Sequence, residues 1–336
     1  MSHISVMIPV YNRENLIIET IQSVLSQTYT DLDLTIIDDA STDNTTEIIN
    51  KFCKDSRITL IKNEENLGLT KNWNHCLEVA KGPLVQIMQS DDLMDNDYLE
   101  RVNNIFEGHP DVGFVAAYCR NIDITGNVIY TPDNKPDYYY KAGDEALTAI
   151  LTKGFPHVSS IIMRKSALDQ IGKINEDIWH GPDVEFDARL ASKFDYYKIG
   201  KVSTSFRRHG TNRGNLEYFR NDYLSNHILK FTLAWGYLSE EGRKKLGIHN
   251  LTKYVDNDAA QMAIGGAILM VAYGKSDLGR FYLRKAIELK PSSIFEVKYW
   301  KAFAINLFPH LGQRVMVQRL NISKRDLKII KESKLQ

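Results

Sequence analysis

Residues 4–89 alternate short apolar stretches with longer segments in which apolar side chains recur at helical spacing. The apolar stretches, each typical of a strand buried on both faces, are residues 4–9, 34–37, 58–62 and 84–89. The helical segments between them are residues 15–27, 42–52 and 69–80. Because strands that alternate with helices in this way are joined by right-handed parallel crossovers, the pattern predicts an α/β fold with a mostly parallel sheet and flanking helices.

Three of these predicted strands end in polar side chains. Residues 9–12 (PVYN) end the first strand, Asp38 and Asp39 end the second, and Asp91 and Asp92 follow the fourth. In such sheets ligands bind beyond the carboxyl ends of the strands, and adjacent unpaired carboxylates are costly to bury. Mg²⁺ or Mn²⁺, which favours a few carboxylates together with phosphate oxygens, would remove that cost. The alternatives are a solvated turn for the second acidic pair and a helix-capping segment for the first. Two acidic pairs on one edge favour a metal–nucleotide site.

The pattern changes in the second half of the chain. Strand-like stretches and loops rich in Tyr, Pro and Asp continue to about residue 208, and helical spacing alone follows from about residue 215. We therefore predict an α/β domain at residues 1–214 and a helical region at residues 215–336. Three tryptophans at helical spacing with apolar neighbours are predicted to lie in the core: Trp73, Trp235 and Trp300.

Overall charge argues against one class of function. The chain of 336 residues has 42 Lys+Arg and 42 Asp+Glu, whereas a surface built for nucleic acid carries a large basic excess. We therefore expect no nucleic-acid partner. The 3 cysteines lack CxxC and zinc-ligand spacing, which suits a reducing compartment. Since no apolar stretch is long enough to span a membrane and the first residues do not resemble a signal peptide, we expect a cytoplasmic protein.

Motifs of other nucleotide-binding and hydrolytic α/β enzymes are missing from the sequence. No GxGxxG follows the first predicted strand, and neither GxxxxGK[ST] nor GxSxG occurs. These absences count against a dinucleotide dehydrogenase, a P-loop enzyme and an α/β-hydrolase.

Several segments resemble family 2 glycosyltransferases, which are inverting enzymes of the GT-A fold that use nucleotide-sugars. The resemblance covers roughly the first two-thirds of the chain, and its segments are residues 5–13 (SVMIPVYNR), 23–29 (SVLSQTY), 36–43 (IIDDASTD), 63–68 (NEENLG) and 89–92 (QSDD). It implies a GT-A catalytic domain at residues 1–214. The implied reaction moves a sugar from a UDP- or dTDP-sugar to a carbohydrate or lipid-linked acceptor in cell-surface polysaccharide synthesis.

The resemblance also implies roles for single residues on the donor side. Pro9, Tyr11 and Arg13 would line the nucleoside pocket, with Tyr11 against the base. Asp39 would accept the N3–H of uracil or thymine, and Lys71 would approach the diphosphate.

The same resemblance implies the metal site. Asp91 would face the ribose or the sugar, and Asp92 would coordinate Mn²⁺ or Mg²⁺. His209 lies in a stretch similar to the family's Arg-x-His-Gly, and such a histidine would complete the metal or diphosphate site. Arg207 and Arg208 beside it could pair with phosphates bidentately.

Residues 181–190 (GPDVEFDARL) provide the candidate base. They resemble the family segment Gly-Glu-Asp-x-[Asp/Glu]-Leu-x-x-Arg, with Pro182 in place of the usual Glu, so Asp183 is the aligned carboxylate. A proline suits the first turn of a helix, and negative charge is stabilised at a helix N-terminus. The alternatives are Glu185 or Asp187 as the base, or three ordinary first-turn acids.

The C-terminal residues 295–316 mix large apolar side chains with basic ones. They are interpreted as a packed helix with a solvated face, and the alternative is peripheral docking on an anionic membrane that carries a lipid-linked acceptor. Two other functions remain open for the chain as a whole. One is a catalytically inactive nucleotide-binding or scaffold protein with a helical interaction module. The other is a nucleotidyltransferase, although the Gly-rich basic first loop of that class is missing.

Overall fold

A computed structural model describes residues 2–208 and 222–307 of the chain. The chain divides into two compact units. The first contains Met1–Arg208 and Tyr237–Gly242, and the second contains His209–Gly236 and Arg243–Gln336. The predicted domain boundary at residues 214 and 215 lies outside the described residues, so it stays a prediction.

Within residues 2–208, ten strands form one sheet. They are β1 Ile4–Val10, β2 Leu32–Asp38, β3 Ile58–Lys62, β4 Leu84–Ile87, β5 Leu93–Met94, β6 Val112–Ile122, β7 Val128–Tyr130, β8 Tyr138–Tyr140, β9 Ile161–Arg164 and β10 Asp195–Arg207. The main path through the sheet runs in the order β3-β2-β1-β4-β9-β6-β10-β5, with β7 on β6 and β8 on β10.

The half of the sheet formed by β1 to β4 is parallel. Strand β1 pairs in parallel with β2 and β4, and β2 pairs in parallel with β3. All seven residues of β1 are buried, as its continuous apolar sequence predicts for a central strand. Strand β9 is antiparallel to both β4 and β6, while β6 and β10 are again parallel. The predicted α/β fold with a mostly parallel central sheet is confirmed.

Helices follow the strands of the first unit and cover the sheet. They are α1 Ile17–Leu25, α2 Thr45–Phe52, α3 Leu69–Val79, α4 Tyr98–Gly108, α5 Asp144–Lys153, α6 Lys165–Ile171 and α7 Pro182–Lys193, with a 3₁₀ turn at Val158–Ser160. In α1 the residues Ile17, Ile21 and Val24 are fully buried at helical spacing. They join a core cluster that includes Ile8 of β1 and Ile36 of β2. This packing fixes the loops at the carboxyl ends of the strands.

The described residues after 222 are helical. The helices are α8 Tyr223–Gly236, α9 Glu240–Lys245, α10 Leu251–Ala272, α11 Ser276–Leu289 and α12 Val297–Leu307, with a 3₁₀ helix at Pro291–Phe295. In the second unit Gly279 of α11 lets the helices approach closely, because a Cβ there would overlap Asn306 Oδ1 and lie 3.1 Å from the carbonyl of Ala267. No helix in the described part of the chain has the length and apolarity needed to cross a bilayer.

The predicted core positions of the tryptophans are confirmed for two of three. Trp73 and Trp235 are buried, whereas the Trp300 side chain is 54% exposed. Helical spacing alone could not tell these cases apart, because the ring of Trp300 contacts only its near neighbours Tyr299 and Phe303 among the aromatic rings of the described structure and stays largely exposed.

Candidate active site

The loops after β1 and β2 bond to each other. Asn12 has a φ of 51°, and its side-chain oxygen accepts the backbone N–H of Thr42 at 2.8 Å. In return the backbone N–H of Asn12 donates to Ser41 Oγ at 3.0 Å. This arrangement leaves Tyr11 42% exposed, while Pro9 is buried inside β1. Of these two predicted pocket residues, Tyr11 is therefore accessible to a ligand and Pro9 supports the loop from within the sheet.

The carboxylate of Asp39 is held at the N-terminus of α3. Its Oδ1 accepts the backbone N–H of Leu67 and the side-chain amide of Asn63, both at 2.8 Å, and its Oδ2 accepts the N–H of Gly68 at 2.9 Å. Because a carboxylate has about four acceptor positions, these three bonds leave one at Oδ2, on a residue that is 3% exposed. Asp38 instead bonds to its own loop and to the first turn of α2. The first acidic pair therefore divides into Asp38, which bonds within the protein, and Asp39, a candidate ligand-binding residue.

Arg13 connects the end of β1 with the loop after β4. Its Nε lies 3.4 Å from Asp91 Oδ2, and the Asp91 side chain is 12% exposed. Lys71 is exposed on the first turn of α3, the helix whose N-terminus holds Asp39. Tyr11, Arg13, Asp39 and Asp91 thus follow the carboxyl ends of three neighbouring parallel strands, while Pro9 lies inside β1.

Asp92 differs from Asp91 in that it is fully buried. Its Oδ1 accepts the backbone N–H of Arg207 at 3.0 Å, and its Oδ2 accepts Ser159 Oγ–H at 2.5 Å. Burial, reinforced by the charge of Asp91, raises the pKa of Asp92 well above its usual range, although both hydrogen bonds oppose this. Asp92 therefore ties the β4 loop to the 3₁₀ turn and to β10.

His157 lies beside this buried carboxylate. Its Nδ1 is 3.5 Å from Asp92 Oδ2, and its ring packs on Phe206 with centroids 4.4 Å apart. Burial lowers the pKa of His157 to about 4, while the negative charges of Asp183 and Asp91 oppose that shift. The ring therefore lies within the electrostatic reach of both carboxylates. The sequence places His157 near segments expected at the acceptor side, but no motif marks it as part of the site.

The three acids of α7 have different surroundings. Asp183 is half-buried in the first turn, after Gly181 in the left-handed conformation (φ 57°). Glu185 is buried, pairs with Arg189 at 3.0 Å and 3.1 Å, and accepts Tyr237 Oη–H at 2.6 Å. Asp187 is 2% exposed, and burial raises its pKa well above its usual range, with the charges of Asp183 and Glu185 adding to the shift. Asp183 is the most accessible of the three.

The described residues provide little for a metal ion by themselves. Within residues 2–208 and 222–307 no three His, Cys, Asp or Glu side chains are grouped so as to bind one. Asp92, the predicted ligand, already uses both oxygens in bonds to the protein. Asp91 does fit a cation that takes one protein carboxylate together with diphosphate oxygens. The other predicted ligand, His209, lies outside the described residues.

The suggestion that Arg207 pairs with phosphates is corrected. Its side chain is fully buried, and its guanidinium donates to the carbonyls of Asp91, Asp123 and Ile124 and to Glu19. These bonds direct the guanidinium into the protein, so it holds the loop after β4 in place. Its neighbour Arg208 is exposed.

Known proteins resemble this chain in sequence. The model of the family described as Glycosyl transferase family 2 matches residues 5–172, which is half of the chain. The UDP-Glc:alpha-D-GlcNAc-diphosphoundecaprenol beta-1,3-glucosyltransferase WfaP of Escherichia coli is 33% identical over 172 residues, 41% of this chain and 68% of that protein. Chondroitin synthase of Pasteurella multocida is 28% identical over 209 residues, 62% of this chain. The match spans only 21% of the length of that synthase.

The fold also resembles solved structures. TarS 1–349 of S. aureus, crystallised in complex with UDP-GlcNAc, superposes with a TM-score of 0.59 at 17% sequence identity. The superposition covers 86% of this chain and 91% of that one. Identity this low supports a shared fold alone. The match of the family model to half of the chain shows more: the chain belongs to glycosyltransferase family 2.

Proposed function

We propose that this glycosyltransferase moves a sugar from a UDP- or dTDP-sugar to a carbohydrate or lipid-linked acceptor, with inversion, in cell-surface polysaccharide synthesis. The observation that carries the proposal is that Asp39, Arg13 and Asp91 follow the ends of the neighbouring strands β2, β1 and β4, with Arg13 3.4 Å from Asp91. The names of the relatives agree with it, since WfaP acts with UDP-Glc on a diphosphoundecaprenol-linked sugar.

The base of the donor nucleotide would be selected by Asp39. The acceptor position left at Oδ2 suits the N3–H of uracil or thymine, whereas cytosine has no N3–H to donate. Tyr11, which is exposed, would pack against the base, and the exposed Lys71 would approach the diphosphate. We therefore expect calorimetry to show tighter binding of UDP or dTDP than of CDP.

Asp183 would act as the base. An acceptor hydroxyl attacks the anomeric carbon as its proton passes to the Asp183 carboxylate, and the bond from that carbon to the diphosphate breaks with its electron pair on the diphosphate. The half-buried position at the N-terminus of α7 suits an ionised carboxylate. Glu185 is less suited because Arg189 and Tyr237 already bond to it.

A divalent cation would be held through Asp91 and the diphosphate. When bound, Mg²⁺ or Mn²⁺ supplies charge neutralisation at the leaving diphosphate. Titration of Mn²⁺ into the protein with UDP tests this: the Asp91→Asn variant should lose the UDP-dependent Mn²⁺ binding. If Asp92→Asn lost it while Asp91→Asn kept it, Asp92 would be favoured as the ligand instead.

The enzymatic proposal is tested by product analysis with a panel of nucleotide-sugars and carbohydrate or lipid-linked acceptors. Asp183→Asn should lower turnover about 10²- to 10⁴-fold while UDP binding persists. The matched control is Asp169→Asn on α6, whose side chain is exposed. Wild-type turnover in both Asp91→Asn and Asp183→Asn would contradict the assigned roles. Nucleotide binding without any transfer would favour the inactive scaffold protein.

We also propose that the second unit binds an anionic membrane peripherally. Phe295, Val297 and Trp300 are 83%, 70% and 54% exposed. Two exposed lysines are adjacent in sequence: Lys298 follows Val297, and Lys301 follows Trp300. Exposed aromatic and aliphatic side chains next to basic ones suit the interface of an anionic bilayer. The remaining basic residues of the predicted tail, from Arg314 onward, lie outside the described residues.

Sedimentation with vesicles of phosphatidylglycerol and phosphatidylcholine tests this surface. Wild-type protein should sediment with anionic vesicles at low salt and less at high salt. Replacing Phe295 and Val297 by Ser should abolish sedimentation, and Ile129→Ser, at an exposed position of β7, should not. Absence of binding at low salt would end the proposal.

A further inference from the structure

The backbone of His157 is held firmly at the start of the 3₁₀ turn. Its carbonyl accepts the backbone N–H and the Oγ–H of Ser160, each at 2.7 Å. The ring packs on Phe206, and the side chain is 24% exposed. The imidazole is therefore fixed in direction and still reaches the surface of the site.

One ring nitrogen of His157 is unusual in its surroundings. Nδ1 is buried and makes no hydrogen bond within the described structure, and the nearest carboxylate oxygen is Asp92 Oδ2 at 3.5 Å. That oxygen already accepts from Ser159. A buried polar atom left without a partner is costly, so a fold that needed only packing at this position would gain from an apolar side chain.

The neighbours of the ring indicate what it faces. Asp91 and Asp183 both act electrostatically on His157, and Asp92, the neighbour of Asp91, lies beside Nδ1. In the proposed function Asp91 faces the donor and Asp183 takes the acceptor proton. The anomeric carbon is bonded to the diphosphate on one side and attacked on the other, so the sugar ring must lie between these two carboxylates.

We propose that His157 binds a hydroxyl group of the transferred sugar and thereby selects among donor sugars. This inference rests on the proposed function. A neutral imidazole has one donor and one acceptor nitrogen. With Nδ1 turned toward Asp92, Nε2 remains to exchange a hydrogen bond with a sugar hydroxyl. A site that bonds a substrate hydroxyl rejects analogues lacking it far better than an apolar site does.

The test compares UDP with a set of donors: UDP-glucose, UDP-galactose, UDP-N-acetylglucosamine, UDP-N-acetylgalactosamine and deoxy derivatives of the preferred donor. For His157→Gln we expect UDP to bind within about threefold of wild type, and kcat/KM for the preferred donor to fall about 100-fold. We also expect discrimination between epimeric donors to shrink at least about tenfold. Removing the contacted hydroxyl from the donor should lower kcat/KM strongly for the wild type and little for the variant. His157→Phe, which preserves ring packing on Phe206, should behave as His157→Gln does.

The matched control is His109→Asn, which removes another imidazole that packs on an aromatic ring, with its centroid 5.2 Å from that of Tyr197. It should leave donor discrimination unchanged. Wild-type discrimination and UDP-sugar affinity in both His157 variants would overturn the inference while the proposed function stood. If the wild-type protein bound none of the UDP-sugars by calorimetry, the proposed function and the inference would both fail.

Discussion

Arg207 donates its backbone N–H to Asp92 Oδ1 at 3.0 Å, although 115 residues separate the two in the chain. The same arginine donates Nε–H to the carbonyl of Asp91 at 2.9 Å and pairs with Glu19 of α1 at 2.7 Å. The end of β10 thus holds the acidic loop after β4 from behind. The position of Asp91 toward the donor side depends on a residue that the donor would not touch.

Replacing Arg207 should therefore destabilise the fold. Arg207→Met removes a donor from three backbone carbonyls, of which that of Asp123 keeps the N–H of Gly126. At roughly 1 kcal/mol for each of the two carbonyls left unsatisfied, we expect a loss of about 2 kcal/mol in the free energy of unfolding. Urea unfolding measures it. The matched control is the exposed neighbour in Arg208→Met, which should change the free energy of unfolding by less than about 0.5 kcal/mol. Equal effects in both variants would contradict the role of Arg207.

Asp39→Asn should weaken nucleotide binding. In Asp39 the carboxylate accepts the backbone N–H groups of Leu67 and Gly68. The side-chain NH₂ of an asparagine would face one of these N–H groups, donor against donor. We expect UDP affinity, measured by calorimetry, to fall at least about tenfold, since one charge-assisted bond contributes about 1.5–3 kcal/mol. Glu65→Gln changes an exposed acid in the same loop and should leave affinity unaltered. A variant Asp39→Asn with wild-type affinity would show that the nucleoside does not bond there.

Much of the first unit was predictable from local pattern. Continuous apolar runs and helical spacing predicted β1 to β4 and α1 to α3 within a few residues, because each element buries a face that its own sequence defines. The edge that carries Asp39 and Asp91 followed from the parallel topology. The prediction from helical spacing was wrong for Trp300, because the sequence of a helix does not tell whether another element covers one of its faces.

Long-range polar contacts were not predictable. Arginines close to a histidine in the sequence suggest a phosphate site, yet the side chain of Arg207 is fully buried and bonds to three separate segments of the chain. Likewise Asp91 and Asp92 are adjacent in sequence and differ in their partners, because the second one faces Ser159. Which of the two carboxylates can bind a ligand depends on these partners from distant parts of the chain. The sequence of the two-acid motif does not identify those partners.

Gly113 should tolerate no side chain. A Cβ there would overlap the Cβ of Phe194, so Gly113→Ala should lower the free energy of unfolding by about 1–3 kcal/mol. Gly108, in the last turn of α4, has open space where a Cβ would stand, with no neighbouring atom within 4 Å of it. Gly108→Ala should therefore stabilise the helix by about 0.5–1 kcal/mol. Urea unfolding of both variants checks the pair. A neutral result for Gly113→Ala would mean that Phe194 moves aside at little cost.

Asp187 should make the protein less stable as pH rises. Its pKa is raised in the folded state, chiefly by burial, so between the ordinary pKa near 4 and the raised value the folded chain keeps a proton that the unfolded chain has lost. Stability then falls with pH, by up to about 1.4 kcal/mol per pH unit. Asp187→Asn removes this titration. Its free energy of unfolding should therefore decline less than that of wild type between about pH 4.5 and pH 7.

The comparison isolates Asp187 because the raised pKa of Asp92 contributes with the same sign in both proteins and cancels in the difference. Urea unfolding at the two pH values, on wild type, Asp187→Asn and the exposed control Asp169→Asn, gives the three slopes. The control should follow wild type, since the Asp169 side chain is exposed. Parallel slopes for wild type and Asp187→Asn would mean that Asp187 is ionised in the folded protein, with a cation or water satisfying the oxygen that now has no hydrogen-bond partner.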